Sequence, residues 1–594
     1  MRPRAVLDLE VYTNYFLIAM KDLATGNVVT IEHPFDADRV RRLLRTYQVV
    51  TFNGTGYDIP ILMYALTGAT TQDIKRASNR IITHNLKPWN FAREFDVELD
   101  DPALNHIDLM DVAPLKGSLK MYGGRMHSKY LQALPYHHET ILRDEEKEVV
   151  RLYCINDLQL TEDLHNSLKV QLELRQSMST AYGINLMSKS DAQIAEAVVK
   201  SEIERMTHSR MDKPGCHPGQ RFHYNIPSWM SFFAIDILDD IRKAEFIVND
   251  KGSVLMPPEL AKRKIVLKDG IYRMGIGGLH SSEANVSYHA DADHVLLDRD
   301  VTSYYPAILL NQGLFPQHIG PNFTTVYRKL VTQRLAAKKG GHKTEAESLK
   351  ITINGLFGKL GSRYSAVYSP DLMIQITLTG QLALLMLIEA LDEEGIHVVS
   401  ANTDGVFVRC RRDCVDKMTA LVKEWELLTG FETEEARYDA LYARDVNNYI
   451  AVKEDGIGTK LKGCYGPGLP LQKNPVTQIC AEAVIDHLTL GASVEGTIRE
   501  CRKVSKFVSV RNVTGGAEWR GEELGKVIRW YYATGVDEAI LYSVNKHLVP
   551  KTYGAKPLMQ LSDGLPADLD YAWYVNEANE MLRELAAYPE RVDG

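Results

Sequence analysis

Two aspartates carry the strongest chemical signal in this chain. Asp300 opens the run Asp300-Val-Thr-Ser-Tyr-Tyr-Pro306, and Asp404 lies in Asn402-Thr-Asp-Gly405 between two apolar stretches. Mg²⁺ prefers hard oxygen ligands and needs only one or two protein carboxylates, because phosphates and water fill its other positions. Two carboxylates at strand ends, separated by a basic helical segment, are typical of two-metal phosphoryl transfer to a growing nucleic acid.

Between the two aspartates the local charge is positive. Residues 325–363 carry nine basic and two acidic side chains, although the whole chain of 594 residues has a net charge of −8. Gly340-Gly341 interrupts the helical pattern, which predicts two antiparallel helices joined by a glycine turn. Each helix offers one polar pair spaced by a single turn, Arg334 with Lys338 and Lys350 with Asn354. A solvated helix face is the alternative explanation of such charge, and the flanking carboxylates favour triphosphate binding instead.

A second acidic pattern lies near the N-terminus. Val6-Leu-Asp-Leu-Glu-Val11 alternates apolar and acidic residues, which predicts a strand with Asp8 and Glu10 on one face. Two further segments, Phe52-Asn-Gly-Thr-Gly-Tyr-Asp58 and Tyr153-Cys-Ile-Asn-Asp157, each end in an aspartate. A lone Asp-x-Glu has little diagnostic value, so the weight of this pattern depends on all three segments occurring in order.

Together these segments resemble the motifs of family B DNA polymerases with a DEDDy 3′–5′ exonuclease, and small bacteriophage replicative polymerases in particular. Asp300–Pro306 resembles motif A, Lys350–Gly358 resembles motif B, and Thr403–Gly405 resembles motif C. Gly275–Gly278 resembles the YxGG segment. Tyr449 resembles the tyrosine of the KxY motif, and Lys460–Gly463 resembles the basic strand after it. The three N-terminal segments occupy the positions of the exonuclease motifs. The order of the motifs is that of the family, and the match covers nearly the whole chain.

The resemblance implies a role for each matched residue of the polymerase site. Asp300 and Asp404 are expected to be catalytic metal ligands, together with the backbone of Val301. The nucleotide would be bound by residues of motif A, the basic helices and motif B, namely Val301, Thr302, Ser303, Tyr305, Arg334, Lys338, Lys350, Asn354 and Phe357. Tyr305 would lie against the incoming sugar. The expected DNA contacts are Asn53, Gly277, Gly278, Tyr449, Lys460 and Lys462.

The resemblance also implies an exonuclease site. Its two metal ions would be held by four carboxylates, those of Asp8, Glu10, Asp58 and Asp157, and the hydroxyl of Tyr153 would orient the attacking water. Asn53 would contact the frayed primer end. Asp108 and the segment Ser128–Leu131 are expected beside single-stranded primer. The implied cofactors are two Mg²⁺ ions per active site, with Mn²⁺ able to substitute.

The sequence departs from the family pattern at a few positions. Asn402 stands where motif C usually has its first aspartate, so the site loses one negative charge. In motif B, Gly355 replaces the usual serine and Phe357 the usual tyrosine, and Asn447 occupies the place of the lysine in KxY. These changes predict altered primer binding or fidelity in an enzyme that is still active.

The resemblance implies an α+β and α/β multidomain chain. It combines an RNase H-like exonuclease with a right-hand polymerase that has an antiparallel palm sheet, short helical-hairpin fingers and a mainly helical thumb. The expected segments are the exonuclease at 1–170, a linker and N-terminal palm region at 171–290, palm at 291–320 and 365–470, fingers at 321–364 and thumb at 471–594. Residues 158–207 are predicted to be helical, with a break at Gly183. Lys546, Lys551 and Lys556 are candidate DNA-backbone contacts, or simply exposed lysines.

Length and composition agree with several domains of ~100–200 residues each. The seven cysteines are scattered and odd in number, which predicts reduced thiols in a cytosolic protein. We expect no segment that spans a bilayer and no signal or transit peptide. We therefore expect a phage-encoded monomer in the cytoplasm of a bacterial host, with no membrane partner. Its expected partners are primer-template DNA, dNTPs and a phage helicase or single-strand-binding protein.

Motif spacing bears on how synthesis starts. Protein-primed relatives carry insertions between motifs A and B and between B and C, whereas here 50 residues separate Asp300 from Lys350 and 52 separate Lys350 from Asn402. This predicts an enzyme that extends ordinary primers. Two alternatives stay open: a nuclease whose polymerase half has decayed into a DNA-binding platform, and a structural nucleic-acid-binding protein with no chemistry.

Overall fold

Residues 2–101, 104–268, 270–454, 456, 458–467 and 471–586 are described by a computed structural model. The chain is a mixed α/β protein that divides into two compact units. Unit 1 comprises Met1–Ser190, Gly468–Ile479 and Glu500–Tyr574, and unit 2 comprises Asp191–Pro467, Cys480–Arg499 and Val575–Gly594. The assignment of chain segments to exonuclease, palm, fingers and thumb stays a prediction.

The strands follow one another along the chain as β1 Arg4–Tyr12, β2 Tyr15–Asp22, β3 Val28–Glu32, β4 Gln48–Thr51, β5 His106–Asp108, β6 Arg221–Phe222, β7 Phe246–Ile247, β8 Ile265–Val266, β9 Ile271–Met274, β10 Leu279–Ser281, β11 Ala284–His289, β12 His294–Val301, β13 His397–Asn402, β14 Gly405–Arg411, β15 Thr433–Asp445, β16 Asn448–Lys453, β17 Thr459–Leu461, β18 Ser509–Trp519, β19 Glu522–Tyr532, β20 Leu541–Tyr542 and β21 Ala555–Pro557.

The helices are α1 Ala37–Thr46, α2 Asp58–Ala65, α3 Thr71–His84, α4 Pro88–Glu94, α5 Leu109–Val112, α6 Leu119–Arg125, α7 Asp144–Ser167, α8 Lys169–Tyr182, α9 Asp191–Thr207, α10 Leu238–Lys243, α11 Pro258–Ala261, α12 Tyr304–Asn311, α13 Asn322–Lys339, α14 Lys343–Leu360, α15 Pro370–Glu393, α16 Val415–Thr429, α17 Gln478–Leu490, α18 Val494–Glu500 and α19 Tyr571–Glu584.

The first sheet of unit 1 has the strand order β3-β2-β1-β4-β5. Strand β1 pairs antiparallel with β2 and parallel with β4, which places it at the centre. Its apolar residues belong to two buried clusters, one on each face of the sheet, because successive side chains of a strand point to opposite faces. Helix α7 covers one face through Val150, Cys154 and Leu158.

The predicted helices of residues 158–207 are confirmed as the end of α7, then α8 and α9. Helix α8 ends at Gly183, whose φ of 68° lies in the left-handed region that glycine adopts without steric cost. The helical periodicity and the glycine break were sufficient to predict these elements.

The prediction of a mainly helical segment after residue 470 is wrong. A four-stranded antiparallel sheet with the order β20-β18-β19-β21 occupies its centre and belongs to unit 1. The turn Arg520-Gly521 favours a hairpin over a helix here, because φ is positive at both residues (52° and 82°) and they join β18 to β19. Two of the candidate DNA-contacting lysines are already paired within this unit, Lys546 with Glu518 and Lys556 with Asp568.

Buried Arg529 of β19 ties this second sheet to residues near the N-terminus. Its guanidinium donates to the carbonyls of Leu558 (2.8 Å) and Met559 (3.1 Å), and also to those of Ser128 (2.8 Å) and Lys129 (3.1 Å). The segment Ser128–Leu131, expected beside primer, is therefore held against the sheet of residues 509–557 within unit 1.

Unit 2 is built on a ten-stranded antiparallel sheet with the order β17-β16-β15-β12-β14-β13-β10-β9-β8, in which β11 also pairs with β15. Helix α15 packs beside it, and Trp425 of α16 donates to the carbonyl of Ala383 at 2.8 Å. The prediction that no segment could span a bilayer is wrong. Helix α15 is long and apolar enough to do so, judged by its length and composition alone. However, 83% of its most apolar stretch is buried inside the protein, as in the core helix of a soluble protein.

The predicted helical pair of residues 325–363 is confirmed as α13 and α14, which pack together. Helix α9 lies against both and forms ion pairs from Glu202 to Lys329 (2.8 Å) and from Glu196 to Lys359 (3.1 Å). A Cβ atom at Gly355 would lie 3.0 Å from the carbonyl oxygen of Asp191. The glycine that replaces the usual serine of motif B thus lets α9 approach α14 closely.

Candidate active sites

The N-terminal acidic residues meet at the end of the first sheet. Strand β1 places Asp8 and Glu10 on one face because they are two residues apart. Asp58 begins α2, and Asp157 lies in α7. Ligand atoms of Asp8, Glu10 and Cys154 all lie within 4.8 Å of one another. The structure therefore brings the predicted exonuclease carboxylates together, and we call these four acids with Cys154 the N-terminal cluster.

Burial shifts the pKa values of the N-terminal cluster. Desolvation, followed by the charge of Asp157, raises the pKa of Asp8 to about 7. Burial and neighbouring carboxylates hold the pKa values of Glu10 and Asp58 well above their usual range. These carboxyl groups repel one another and lack water, so a divalent cation among them would be strongly favoured.

Lys120 is a functional residue that sequence reasoning missed. Its ammonium, on α6, forms an ion pair with Asp157 and lies 4.3 Å from the centre of the Tyr153 ring. Burial, with the charge of Asp157 second, raises the pKa of the Tyr153 hydroxyl, which keeps its proton. Lys120 thus orients the two predicted residues. It belongs to a different helix, 37 residues away from Asp157, so no local pattern links the two in sequence.

Asp108, which is expected beside primer, makes several hydrogen bonds within the protein. It is buried, and its carboxylate accepts hydrogen bonds from the backbone amides of Asn53 and Thr55, both at 2.9 Å, and of Met110 at 3.0 Å. These three bonds tie the Asp108 carboxylate to the protein backbone. It fixes the turn that presents Asn53, whose φ is 65°.

The second pair of predicted metal ligands meets on the sheet of unit 2. Asp300 lies near the end of β12, opposite Gly405 of β14, and Asp404 lies in the turn between β13 and β14. The amide of Val301 donates to the carbonyl of Asp404 at 2.7 Å. A Cβ at Gly405 would lie 2.1 Å from Asp300 Oδ1, so glycine is needed to bring the two aspartates side by side.

Both aspartates line a cavity of about 190 Å³ together with Asp298, Tyr449 and Lys462. We call Asp298, Asp300 and Asp404 the palm cluster. Burial, followed by the charge of Asp300, raises the pKa of Asp404. An open cavity with several oxygen donors fits hard divalent ions such as Mg²⁺.

Lys460 occupies a central place in the palm cluster. Its ammonium bonds Asp298 at 2.5 Å and Asp300 at 3.0 Å. Asp298 was missed by sequence reasoning, although the alternation Asp298-Arg-Asp300 places both carboxylates on one face of β12. It is a third carboxylate in a site that has an asparagine at position 402.

Asn402 is held by bonds that suit an amide. Its Nδ2 donates to the carbonyl of Val446 at 3.2 Å, and its Oδ1 accepts from the hydroxyl of Thr403 at 3.0 Å. A carboxylate here would face the Val446 carbonyl without a donor. The pocket is therefore adjusted to asparagine.

The residues predicted to bind nucleotide lie around the start of α12. Tyr305 stacks on Phe357, with ring centres 4.3 Å apart, and its hydroxyl donates to the carbonyl of Gly277 at 2.6 Å. Arg334 donates to the hydroxyl of Ser303 at 3.1 Å. Three motifs far apart in sequence thus converge, which is the arrangement that a pocket for one ligand needs.

The other residues predicted to bind nucleotide or DNA are less closely connected to the palm cluster. Thr302 donates its backbone amide to Glu432 at 2.8 Å. Lys338, Lys350 and Asn354 are exposed on α13 and α14, and Lys350 pairs with Glu347 at 3.6 Å. A Cβ added at Gly277 would meet no atom within 4 Å. A Cβ at Gly278 would lie 2.7 Å from the hydroxyl of Thr403, so Gly278 packs against the turn that carries Asp404.

No family model matches this chain, and no curated protein does. Among solved structures, it is similar to the family B DNA polymerase from the hyperthermophilic archaeon Pyrobaculum calidifontis. The TM-score is 0.39 and the sequence identity is 14%, with 100% of this chain and 78% of the other chain covered.

Proposed function

We propose that this protein is a DNA-directed DNA polymerase of family B with a DEDDy 3′–5′ proofreading exonuclease. The observation that carries the proposal is the convergence of Asp300 and Asp404 beside a stacked Tyr305–Phe357 pair. Two carboxylates, one on a strand and one in the adjacent turn, next to a pair of stacked aromatic rings suit a nucleoside triphosphate and a primer end. The N-terminal cluster supports a second, hydrolytic activity.

In the polymerase reaction, the basic side chains of the helical pair would bind the triphosphate. Arg334 and Lys338 would contact it from α13, and Lys350 and Asn354 from α14. Tyr305 bounds the sugar pocket, held by its bond to Gly277. Tyr449, Lys460 and Lys462 would contact the primer strand.

In the exonuclease reaction, the Tyr153 hydroxyl would orient water toward the terminal phosphate. Lys120 fixes both Tyr153 and Asp157, and Asn53 would bind the unpaired end. Divalent ions, Mg²⁺ or Mn²⁺, would be held by Asp8, Glu10, Asp58 and Asp157 in one site, and by Asp300, Asp404 and the Val301 carbonyl in the other. Such ions supply charge neutralisation of phosphate and activation of the attacking oxygen.

The wider setting rests on motif spacing and composition. We infer a bacteriophage replicase that acts as a monomer in the bacterial cytoplasm and extends ordinary primers. A phage helicase or single-strand-binding protein would supply the template strand.

One observation favours the rival, a nuclease with a decayed polymerase half. The Lys460 ammonium already pairs with Asp298 and Asp300. It neutralises negative charge that a metal ion would otherwise bind. Primer extension on a labelled hairpin with Mg²⁺ and four dNTPs separates the two, with single-strand degradation measured in parallel. Extension lost in Asp300→Ala and kept in Asp293→Ala, an exposed acid just before the same strand, supports the polymerase. Degradation without extension, with Mg²⁺ and with Mn²⁺, supports the rival.

A further inference from the structure

The N-terminal cluster contains a sulfur ligand that the proposed hydrolytic chemistry does not use. Cys154 is fully buried on α7, and its Sγ lies 3.4 Å from Asp8 Oδ2. Buried cysteines more often pack among apolar side chains. Here the thiol is aimed at two carboxylates, because ligand atoms of Asp8, Glu10 and Cys154 lie within 4.8 Å of one another.

Glu10 gives an independent indication that this place suits a cation. Its side chain is 9% exposed, and within the described part of the chain its carboxylate accepts no hydrogen bond. A buried carboxylate without a donor is costly unless a cation is bound. Lys120 does not meet that need directly, since its ammonium pairs with Asp157.

The spacing fits one tetrahedral ion. Zinc binds thiolate sulfur at ~2.3 Å and carboxylate oxygen at ~2.0 Å, so two such ligands of one tetrahedral ion lie about 3.5 Å apart. The observed Sγ to Oδ2 distance of 3.4 Å agrees with this value. Soft thiolate ligands select zinc-like ions, whereas Mg²⁺ is bound by oxygen.

We propose that Cys154, with Asp8 and Glu10, makes the N-terminal cluster a binding site for one thiophilic divalent cation of the Zn²⁺ and Cd²⁺ class. On binding, the Cys154 thiol loses its proton to water and its sulfur joins the two carboxylates as a ligand. Where the cluster acts as the proposed exonuclease, which this consequence assumes, the ion displaces Mg²⁺ and stops degradation. The palm cluster offers oxygen ligands, so extension is less sensitive to the same ion.

The binding test uses Cd²⁺ and the full-length protein. Thiolate-to-cadmium charge-transfer absorption reports sulfur ligation during a titration in the presence of Mg²⁺. We expect Cys154→Ser and Cys154→Ala to weaken the tightest binding step by at least about tenfold. Cys464→Ser, which removes an exposed thiol, is the matched control and should keep that step. An unchanged tight step in both Cys154 variants would overturn the proposal.

A second measurement avoids dependence on a folded variant. X-ray absorption of the wild-type protein with one equivalent of Zn²⁺ should show one sulfur at ~2.3 Å and oxygen or nitrogen at ~2.0 Å. A first shell of oxygen and nitrogen alone would refute sulfur ligation.

The activity arm separates this proposal from the proposed function. With Mg²⁺ present, the Zn²⁺ concentration that halves single-strand degradation should be at least about tenfold lower for the wild type than for Cys154→Ser. A protein that degrades no DNA with Mg²⁺ or Mn²⁺ refutes the exonuclease, while loss of the Cd²⁺ step in Cys154→Ser would still support the cation site. Equal Zn²⁺ sensitivity of wild type and variant would contradict the inhibitory role.

Discussion

The N-terminal cluster and the palm cluster differ most in their access to water. Asp58, Asp157 and Glu10 are 4%, 8% and 9% exposed. In the palm cluster Asp298 is likewise buried, but the side chain of Asp300 is 50% exposed and Asp404 is exposed. A dry cluster raises the pKa of its own carboxyl groups and depends on a cation to become charged. An open one leaves room for a triphosphate and a primer end. The two clusters contain similar residue types, and their different burial suits them to different ligands.

The largest expected effect comes from removing ligands of one cluster at a time. Asp404→Ala should lower primer extension by at least ~10³-fold and leave single-strand degradation, because a metal ligand is lost from the palm cluster alone. Asp8→Ala should have the opposite effect. Radiolabelled hairpin and single-stranded substrates measure both activities. Glu145→Ala, an exposed acid on α7, is the control, and loss of both activities in either cluster variant would show that the clusters are not independent.

The lysine of each cluster offers a sharper comparison. Lys120→Ala should reduce degradation by about 10²-fold, since the ammonium orients Tyr153 and Asp157. Lys116→Ala, at an exposed lysine three residues before the start of α6, serves as the control. Lys460→Ala should instead lower the Mg²⁺ concentration needed for extension, because a competing positive charge leaves Asp298 and Asp300. A higher Mg²⁺ requirement would contradict this view of Lys460.

Sugar selectivity tests the region beside the more exposed palm cluster. Tyr305→Ala should lower the preference for dNTP over rNTP by at least about tenfold, because the ring fills the space of a 2′-hydroxyl. Tyr305→Phe keeps the ring and loses the bond to Gly277, so it should retain most of the preference. The ratio of kcat/KM values for matched nucleotides cancels general damage. An unchanged ratio in Tyr305→Ala would assign the gate to another side chain.

The raised pKa values predict a pH dependence of stability without metal. An acid whose pKa is higher in the folded state contributes stability below its unfolded value of ~3.9 and loses it as the pH rises. For Asp8 the loss is complete above its folded pKa of about 7. In a chelator, Asp58→Asn should therefore raise the melting temperature more at pH 8 than at pH 5, because it removes a carboxyl group of the same kind. An equal gain at both pH values would argue against charge repulsion in the cluster.

The smallest effect is expected at position 402. Asn402→Asp restores the usual acid of motif C, yet it removes the amide donor that Val446 accepts. We expect less than a twofold change in the Mg²⁺ concentration for half-maximal extension, since the new charge is poorly accommodated. A titration with Asp8→Ala as the background removes competing degradation. Extension that appears only after Asn402→Asp would support the decayed-polymerase alternative.

Local patterns predicted much of the two clusters and less of what surrounds them. Alternation on a strand predicted the pair Asp8 and Glu10, and the glycine turn predicted the helices α13 and α14. Lys120 and the Asp108 contacts to the turn of Asn53 depend on packing between distant segments, which no spacing encodes. The sheet of residues 509–557 was missed because the motifs end before it and no motif lies on its strands.

Arg529 has a consequence for the order in which the chain is made. Two of its four carbonyl partners, Ser128 and Lys129, precede it by about 400 residues. At ~5–20 residues per second, a ribosome needs roughly 20 to 80 s to cover that interval. The N-terminal segment waits for the last quarter of the chain before unit 1 can close, by which time the palm sheet has been synthesised. A chain released before residue 529 would therefore lack these contacts, and unit 1 would be incomplete.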